Sequence, residues 1–135
     1  MTKYRVTTRL LENVRSVAED GRGHSLVMDL PVTTGGSDKG PTAFEVALIG
    51  LAGCVVIIYA DIAKRSKVHI SKLEAEVMGD TSKSPIAISL KINVQGKASK
   101  NMLETIFRKT EEHCPVMDIF KEETPVKAQL EVISE

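Results

Sequence analysis

Two cysteines are the residues of this sequence best suited to chemistry. Cys54 ends the apolar run Gly40–Cys54, and Cys114 comes much later, within His-Cys-Pro-Val. The thiolate is the reactive form of cysteine, so a working thiol needs a cation or a helix N-terminus nearby, and a second thiol can capture its oxidised product. The pair therefore predicts redox chemistry, whereas a cysteine in an apolar helix is by itself more often an inert core residue.

The composition narrows the class of protein. The chain has 135 residues, enough for one domain with a sizeable core. Lys plus Arg and Asp plus Glu are 18 each, so there is no basic excess that would favour nucleic acid. The first residues lack the apolar stretch of a secretory signal, and two cysteines without a CxxC motif do not make a secreted disulfide framework. We expect a cytoplasmic protein whose thiols are reduced at rest.

Metal and membrane sites are not favoured by the sequence. His24, His69 and His113 lack a metal-ligand spacing such as HExxH. The uncharged run Val46–Ala60 is shorter than the roughly 20 residues of a membrane-spanning helix. We therefore expect no metal, no bound cofactor and no membrane.

The first half of the chain predicts the elements that would position Cys54. Alternating residues indicate a meander of three strands within 1–33, with a turn at Asp20–Gly23. Thr42 and Glu45 have the spacing of a capping box, which predicts the start of a helix over 42–65. Because this helix is apolar on nearly every face, we expect it to be buried, with help from a second subunit.

The second half predicts the elements around Cys114, which lies at or beside the N-cap of a short helix begun by Pro115. The other elements expected over 69–135 are strands at 70–78 and 86–94, a helix from Ser99 or Asn101 to about His113, and a last strand through Val126, Ala128, Leu130 and Val132. The predicted class is α+β with a mostly antiparallel sheet, in a single domain over 1–135.

Four motifs of the chain together resemble the osmotically inducible protein C (OsmC) and organic hydroperoxide resistance family. They are Gly23–Ser25, Gly40–Glu45, Leu51–Cys54 and Cys114–Val116, and they span nearly the full chain. The resemblance implies an intertwined homodimer, with sheets packed around a long buried helix and active sites at the subunit interface. It also implies a thiol peroxidase that protects against oxidative stress by reducing organic hydroperoxides to alcohols, with an external dithiol as reductant.

The resemblance also implies roles for single residues. By position, Cys54 matches the peroxidatic cysteine and Cys114 the resolving one. The family uses an arginine from the first hairpin, for which Arg15 is the nearest counterpart and Arg9 and Arg22 compete. It also uses a glutamate near the start of the buried helix, which is here Glu45.

Glu45 departs from the family pattern and has two possible roles. In the best-known branches the acid directly follows the proline, whereas here three residues intervene. Glu45 and Cys54 are nine residues apart, so about 100° per residue places them on roughly opposite sides of the helix. Glu45 would then hold the guanidinium of Arg15 beside Cys54 across a dimer interface or through a bend in the helix. The capping box gives Glu45 an alternative, structural role.

Two other functions remain open from the sequence. One is a non-catalytic OsmC-like stress-response protein that binds a small hydrophobic molecule, and the shifted Glu45 keeps this alternative open. The other is a thiol redox sensor that acts through a partner and turns over slowly.

Overall fold

The computed structural model describes residues 3–121 and 123–133. Its elements are strands β1 (Thr7–Glu12), β2 (Arg15–Glu19), β3 (Ser25–Met28), β4 (Ile70–Asp80) and β5 (Ala87–Gly96), helices α1 (Ala43–Arg65), α2 (Lys100–His113) and α3 (Pro115–Lys121), and a 3-10 turn at Val32–Thr34. All paired strands are antiparallel, so the predicted α+β class is confirmed. The chain divides into two compact units, one ending at Gly50 and one beginning at Leu51. The single domain over 1–135 therefore stays a prediction.

The first unit contains the predicted three-strand meander, in the order β1-β2-β3. The turn between β2 and β3 is held by Asp20, whose carboxylate accepts hydrogen bonds from the backbone N–H of Arg22 at 2.8 Å and of His24 at 3.2 Å. These bonds, that of Arg22 first, lower the pKa of Asp20 to about 2. Gly21 and Gly23 have φ of 80° and 92°, a conformation that favours glycine. The turn expected at Asp20–Gly23 is thus confirmed.

Helix α1 begins at the predicted capping box. The backbone N–H of Thr42 donates to Oε1 of Glu45 at 2.8 Å, and the N–H of Glu45 donates to Oγ1 of Thr42 at 3.1 Å. These bonds satisfy two donors that would otherwise lack a partner at the helix start. The expected helix over 42–65 is confirmed as Ala43–Arg65.

Helix α1 is only partly buried within one chain, and the burial of its other faces by a second subunit stays a prediction. Four residues of α1 are fully buried, and all of them lie in the second unit. They are spaced four positions apart and so form a single stripe along the helix: Leu51, Val55, Tyr59 and Ala63. Ile57, on another face, is 68% exposed. The described residues of one chain therefore leave part of the helix exposed. Among the described residues α1 is also the one helix long and apolar enough to cross a membrane, but a core helix meets the same test of length and composition.

The second unit is built on the β4–β5 hairpin, in which Ala75 pairs with Ile92 and Glu76 with Lys91. Side chains alternate between the two faces of a strand, so one face is apolar and the other is charged or polar. The apolar face packs on the buried stripe of α1 and on helix α2. Of the two predicted caps of α2, Ser99 is the one observed, since its Oγ accepts the N–H of Met102 at 3.1 Å.

The predicted last strand is not formed within the chain. Residues 123–133 have no helix or strand, and the side chains of Val126, Leu130 and Val132 are 86%, 86% and 81% exposed. The alternation that predicted a strand is present, but a strand also needs a neighbour for its backbone N–H and C=O groups. The described part of the chain provides no such neighbour for this segment.

Candidate functional site

The two cysteines lie against each other in the second unit. Both are free thiols, and the sulfur of Cys114 donates a hydrogen bond to the sulfur of Cys54 across 2.9 Å. A disulfide bond is roughly 2.05 Å long, so little movement would join the two sulfurs. Cys114 is fully buried, whereas Cys54 is partly exposed. The fold thus brings together the two residues on which the sequence prediction of redox chemistry depends.

Different elements carry the two thiols. Cys54 lies in the middle of α1, directly before the buried Val55. Cys114 lies between α2 and α3, in extended backbone with φ −91° and ψ 106°, and Pro115 begins the next helix. The carbonyl of Cys114 accepts the N–H of Asp118 at 3.2 Å. Cys114 thus lies at the predicted junction between the two helices.

The surroundings of Cys114 favour its neutral form. Burial raises the pKa of the Cys114 thiol, and its hydrogen bond to Cys54 raises it further. Backbone N–H groups of Met117 and Val116 act in the opposite direction, but the net change in pKa is upward. Cys114 is therefore a protonated donor at neutral pH, and it points its proton at Cys54.

The side chains packed around the two sulfurs are apolar. The buried members of this cluster besides Cys114 are Leu51, Val55 and Met117, and partly buried side chains from β4 and β5 complete it. A thiol that works as a nucleophile needs a cation or a helix N-terminus nearby, and the members of this cluster are hydrophobic residues.

Three arginines of the first hairpin region compete for that role. Arg15 is the least exposed of them, at 24% of its side chain, against 61% for Arg9 and 76% for Arg22. Its Nη2 donates to Oε2 of Glu12 at 2.8 Å. Arg9 and Arg22 lie farther from their carboxylate partners, at 3.6 Å and 3.3 Å. Arg15 therefore has the least exposed side chain and the shortest ion pair of the three.

Glu45 is engaged in the capping box. The hydrogen bond from the backbone N–H of Thr42 is the main cause that lowers the pKa of Glu45. The carboxylate of Glu45 is therefore charged, and it accepts this hydrogen bond at the start of α1. Among residues 3–121 and 123–133, no ion pair joins Glu45 to Arg15. Within this chain Arg15 bonds Glu12, so a contact of Glu45 with Arg15 across a dimer interface or through a bend in the helix stays a prediction. The catalytic role of Glu45 stays a prediction.

One buried carboxylate was not predicted from the sequence as a site residue. Asp29 is only 4% exposed and follows the end of β3. In the sequence it is a polar residue within an alternating strand, which normally points to solvent. Only the strand register and the backbone bonds to its carboxylate reveal its position.

Several solved structures share this fold. An OsmC-like protein from Mycoplasma pneumoniae matches with a TM-score of 0.77 and 22% identity, over 89% of this chain and 88% of that one. An organic hydroperoxide resistance protein OsmC from Legionella pneumophila matches with a TM-score of 0.65 and 16% identity, over 90% of both chains. An organic hydroperoxide resistance protein from Elizabethkingia anophelis, with thiocyanate bound, matches with a TM-score of 0.68 and 14% identity, over 90% and 89%. At these identities the likeness shows the fold, which is that of OsmC-like proteins.

The sequence itself shows the family. The family model for OsmC-like proteins matches residues 36–129, more than half of the chain, and this range includes Glu45, Cys54 and Cys114. The chain therefore belongs to the OsmC-like protein family. No curated protein matches the sequence significantly.

Proposed function

We propose that this protein is a cysteine-based thiol peroxidase that reduces organic hydroperoxides to alcohols. The observation that carries the proposal is the 2.9 Å contact between a partly exposed Cys54 and a buried Cys114. A peroxidatic thiol must meet its substrate, and a resolving thiol must reach the oxidised sulfur without delay. Cys54 meets the first requirement and Cys114 the second.

The proposed reaction has three steps. The Cys54 thiolate attacks the distal peroxide oxygen, so that an S–O bond forms, the O–O bond breaks, and the alkoxide takes up a proton and leaves as an alcohol. The Cys114 thiol then attacks the sulfenic acid, an S–S bond forms, and water leaves. An external dithiol reduces the disulfide through two thiol–disulfide exchanges and becomes a disulfide itself.

Arg15 is the proposed cation that stabilises the Cys54 thiolate. Its side chain is the least exposed of the three arginines. A fixed guanidinium is suited to orient a peroxide as well as to stabilise an anionic sulfur. The apolar side chains around the sulfurs favour alkyl hydroperoxides over hydrogen peroxide, because buried methylene groups add affinity.

We further propose a homodimer with the active sites at its interface. Two features of the single chain support a second copy: the exposed apolar face of α1 at Ile49 and Ile57, and the exposed alternating segment from Val126 to Val132. Large apolar side chains that are exposed in this way favour an interaction site. A second copy is the partner with matching surfaces, because a twofold interface joins the same patch of both subunits.

Mass spectrometry after one equivalent of cumene hydroperoxide tests the proposed function. The wild type is expected to lose two hydrogens as the disulfide forms. Cys114→Ser is expected to retain a sulfenic acid at Cys54, trapped by dimedone, and Cys54→Ser is expected to remain unmodified. A folded wild type whose mass stays unchanged would refute the peroxidase proposal.

Binding of a small hydrophobic molecule is a second candidate, favoured by a cavity in the first unit. The cavity has a volume of about 360 Å³, and its lining includes Val6, Leu26, Met28 and Val46. Steady-state consumption of hydroperoxide with a dithiol separates the candidates. A binding protein would show no turnover that depends on Cys54, and a sensor would show only stoichiometric oxidation.

A further inference from the structure

We infer that Asp29, and not Glu45, is the carboxylate that positions Arg15. The inference rests on the proposed function, because it names a positioning residue for the cation that would act on Cys54. Asp29 has no proposed contact with the substrate or with the reacting sulfurs, and it acts only through Arg15.

The strand register places Asp29 beside Arg15. Strands β2 and β3 pair antiparallel, with Ser16 opposite Met28 and Val17 opposite Val27. Extending this register by one residue puts Arg15 opposite Asp29, directly after the end of β3. Side chains that face each other in this way have Cβ atoms about 4.5–5.5 Å apart.

The other neighbouring strand supplies a second carboxylate, which is far more exposed. Glu12 pairs with Arg15 in the β1–β2 register, but its side chain is 75% exposed, whereas Asp29 is 4% exposed. Exposed ion pairs are screened by water and salt and hold a side chain weakly. Among the described residues Arg15 forms its ion pair with Glu12 and none with Asp29, so Asp29 acts on the guanidinium through the attraction of a buried charge at longer range, which also lowers the pKa of its carboxyl.

Asp29 is itself held rigidly and in its charged form. Its carboxylate accepts hydrogen bonds from the backbone N–H of Leu30 at 2.8 Å, Lys39 at 3.1 Å and Ser37 at 3.3 Å. Burial alone would raise the pKa of Asp29, but these bonds and the positive charge of Arg15 together bring it below its ordinary value. A carboxylate accepts about four hydrogen bonds, so the three backbone bonds leave capacity for the guanidinium.

The loop after β3 is closed around this carboxylate. A Cβ atom added at Gly36 would lie 2.0 Å from the carbonyl oxygen of Leu30 and 2.8 Å from Oδ1 of Asp29, so only glycine fits there. The N–H of Asp29 donates to the carbonyl of Pro41 at 3.1 Å, next to the capping box of α1. Asp29 thus connects the position of Arg15 to the loop that leads into the cysteine helix.

A double-mutant cycle tests the inference. The rate constant for hydroperoxide reduction is measured in the wild type, Asp29→Asn, Arg15→Ala and the double variant. If Asp29 acts through Arg15, Asp29→Asn should slow the reaction by about tenfold when Arg15 is present. In the Arg15→Ala background the same substitution should have no further effect. Equal effects in both backgrounds would mean a general structural role and would overturn the inference.

Two controls make the result specific. Glu19→Gln removes an exposed carboxylate paired with Arg9 on the same sheet, and it should leave the rate unchanged. Far-UV circular dichroism of Asp29→Asn should match that of the wild type, which would show that a slower reaction does not come from loss of the fold. If Asp29→Asn does not fold, Asp29→Glu keeps the charge but displaces it by one methylene, and the same cycle is run with that variant.

Alkylation of Cys54 separates this inference from the peroxidase proposal. A guanidinium near Cys54 attracts iodoacetate, which is anionic, more than neutral iodoacetamide, so the ratio of the two rates reports the placement of the cation. The ratio should fall to the same extent in Arg15→Ala and Asp29→Asn, whether or not the protein turns over hydroperoxides. A ratio that falls in Arg15→Ala but not in Asp29→Asn would overturn the positioning role, and so would a ratio that neither variant changes.

Discussion

The thiol of Cys114 is aimed at the sulfur of Cys54, at a separation of 2.9 Å. The two residues differ in accessibility, since Cys114 is fully buried and Cys54 is partly exposed. They also differ in electrostatics, because burial and the contact with Cys54 raise the pKa of Cys114. Two neighbouring thiols thus have unequal access to a reagent in solution.

Alkylation of the native protein should therefore modify Cys54 before Cys114. With iodoacetamide near neutral pH, we expect Cys54 to react at least about tenfold faster, because only an accessible thiolate is nucleophilic. Peptide mass spectrometry at short reaction times measures both rates, and the denatured protein, in which the two rates should converge, is the control. Faster modification of Cys114 would reverse the assignment of the two cysteines.

The capping box at the start of α1 should contribute measurably to stability. Thr42→Ala removes the oxygen that accepts the N–H of Glu45, and we expect the free energy of unfolding to fall by about 1 kcal/mol. Urea denaturation measures the change. Thr105→Ala is the matched control, since the hydroxyl of Thr105 donates to the carbonyl of Asn101 and accepts from Nη2 of Arg108 within α2 but caps no helix end, so its loss should matter little.

Glu45→Gln separates the two roles of Glu45. Glutamine keeps an oxygen that can accept the N–H of Thr42, so the loss of stability should be smaller than in Thr42→Ala. Turnover of hydroperoxide is then measured on the same variant. A large loss of turnover at preserved stability would assign Glu45 the catalytic role implied by the family resemblance and would count against Asp29 as the positioning carboxylate.

The exposed face of α1 should be the site of dimer formation. We expect the wild type to have twice the 14.7 kDa mass of the chain, and Ile57→Glu to shift the protein toward the monomer, because a charge would be buried at the interface. Size-exclusion chromatography with light scattering gives the mass. Ser89→Glu, on the polar face of β5, is the control and should remain dimeric. A wild type that is monomeric at all concentrations would contradict the proposed assembly.

Asp29 should make the stability of the folded protein change with pH in the acidic range. Its pKa in the folded protein lies below the ordinary 3.8, so the folded state favours the charged form. The resulting stabilisation is present above the unfolded pKa and is lost as pH falls through the lower folded pKa. The difference in Tm between the wild type and Asp29→Asn should therefore shrink between about pH 6 and pH 3. A constant difference over this range would mean that the charge of Asp29 does not stabilise the fold.

Local patterns predicted much of this fold. The capping box fixed the start of α1, and the strict alternation near Ile88 to Val94 predicted β5. Both features depend on residues that are close in sequence, where periodicity and hydrogen-bonding chemistry are sufficient.

Features that depend on residues far apart in the sequence were harder to predict. Val126 to Val132 has the alternation of a strand, yet pairing also requires an edge to receive it, and sequence does not specify that edge. The sequence predicted a role for each of the two cysteines but not that their sulfurs would lie 2.9 Å apart. Asp29 emerged only from the β2–β3 register, because neither its type nor its spacing distinguishes it from a solvated strand residue.

The closeness of the two sulfurs has a kinetic consequence. If Cys54 is oxidised to a sulfenic acid, the thiol that captures it is already in van der Waals contact, so no helix has to unwind first. Such an intramolecular step has a very high effective molarity and outpaces a second peroxide from solution. We therefore expect the chain to be protected from irreversible overoxidation to sulfinic acid, and we expect this protection to vanish when Cys114 is replaced by serine.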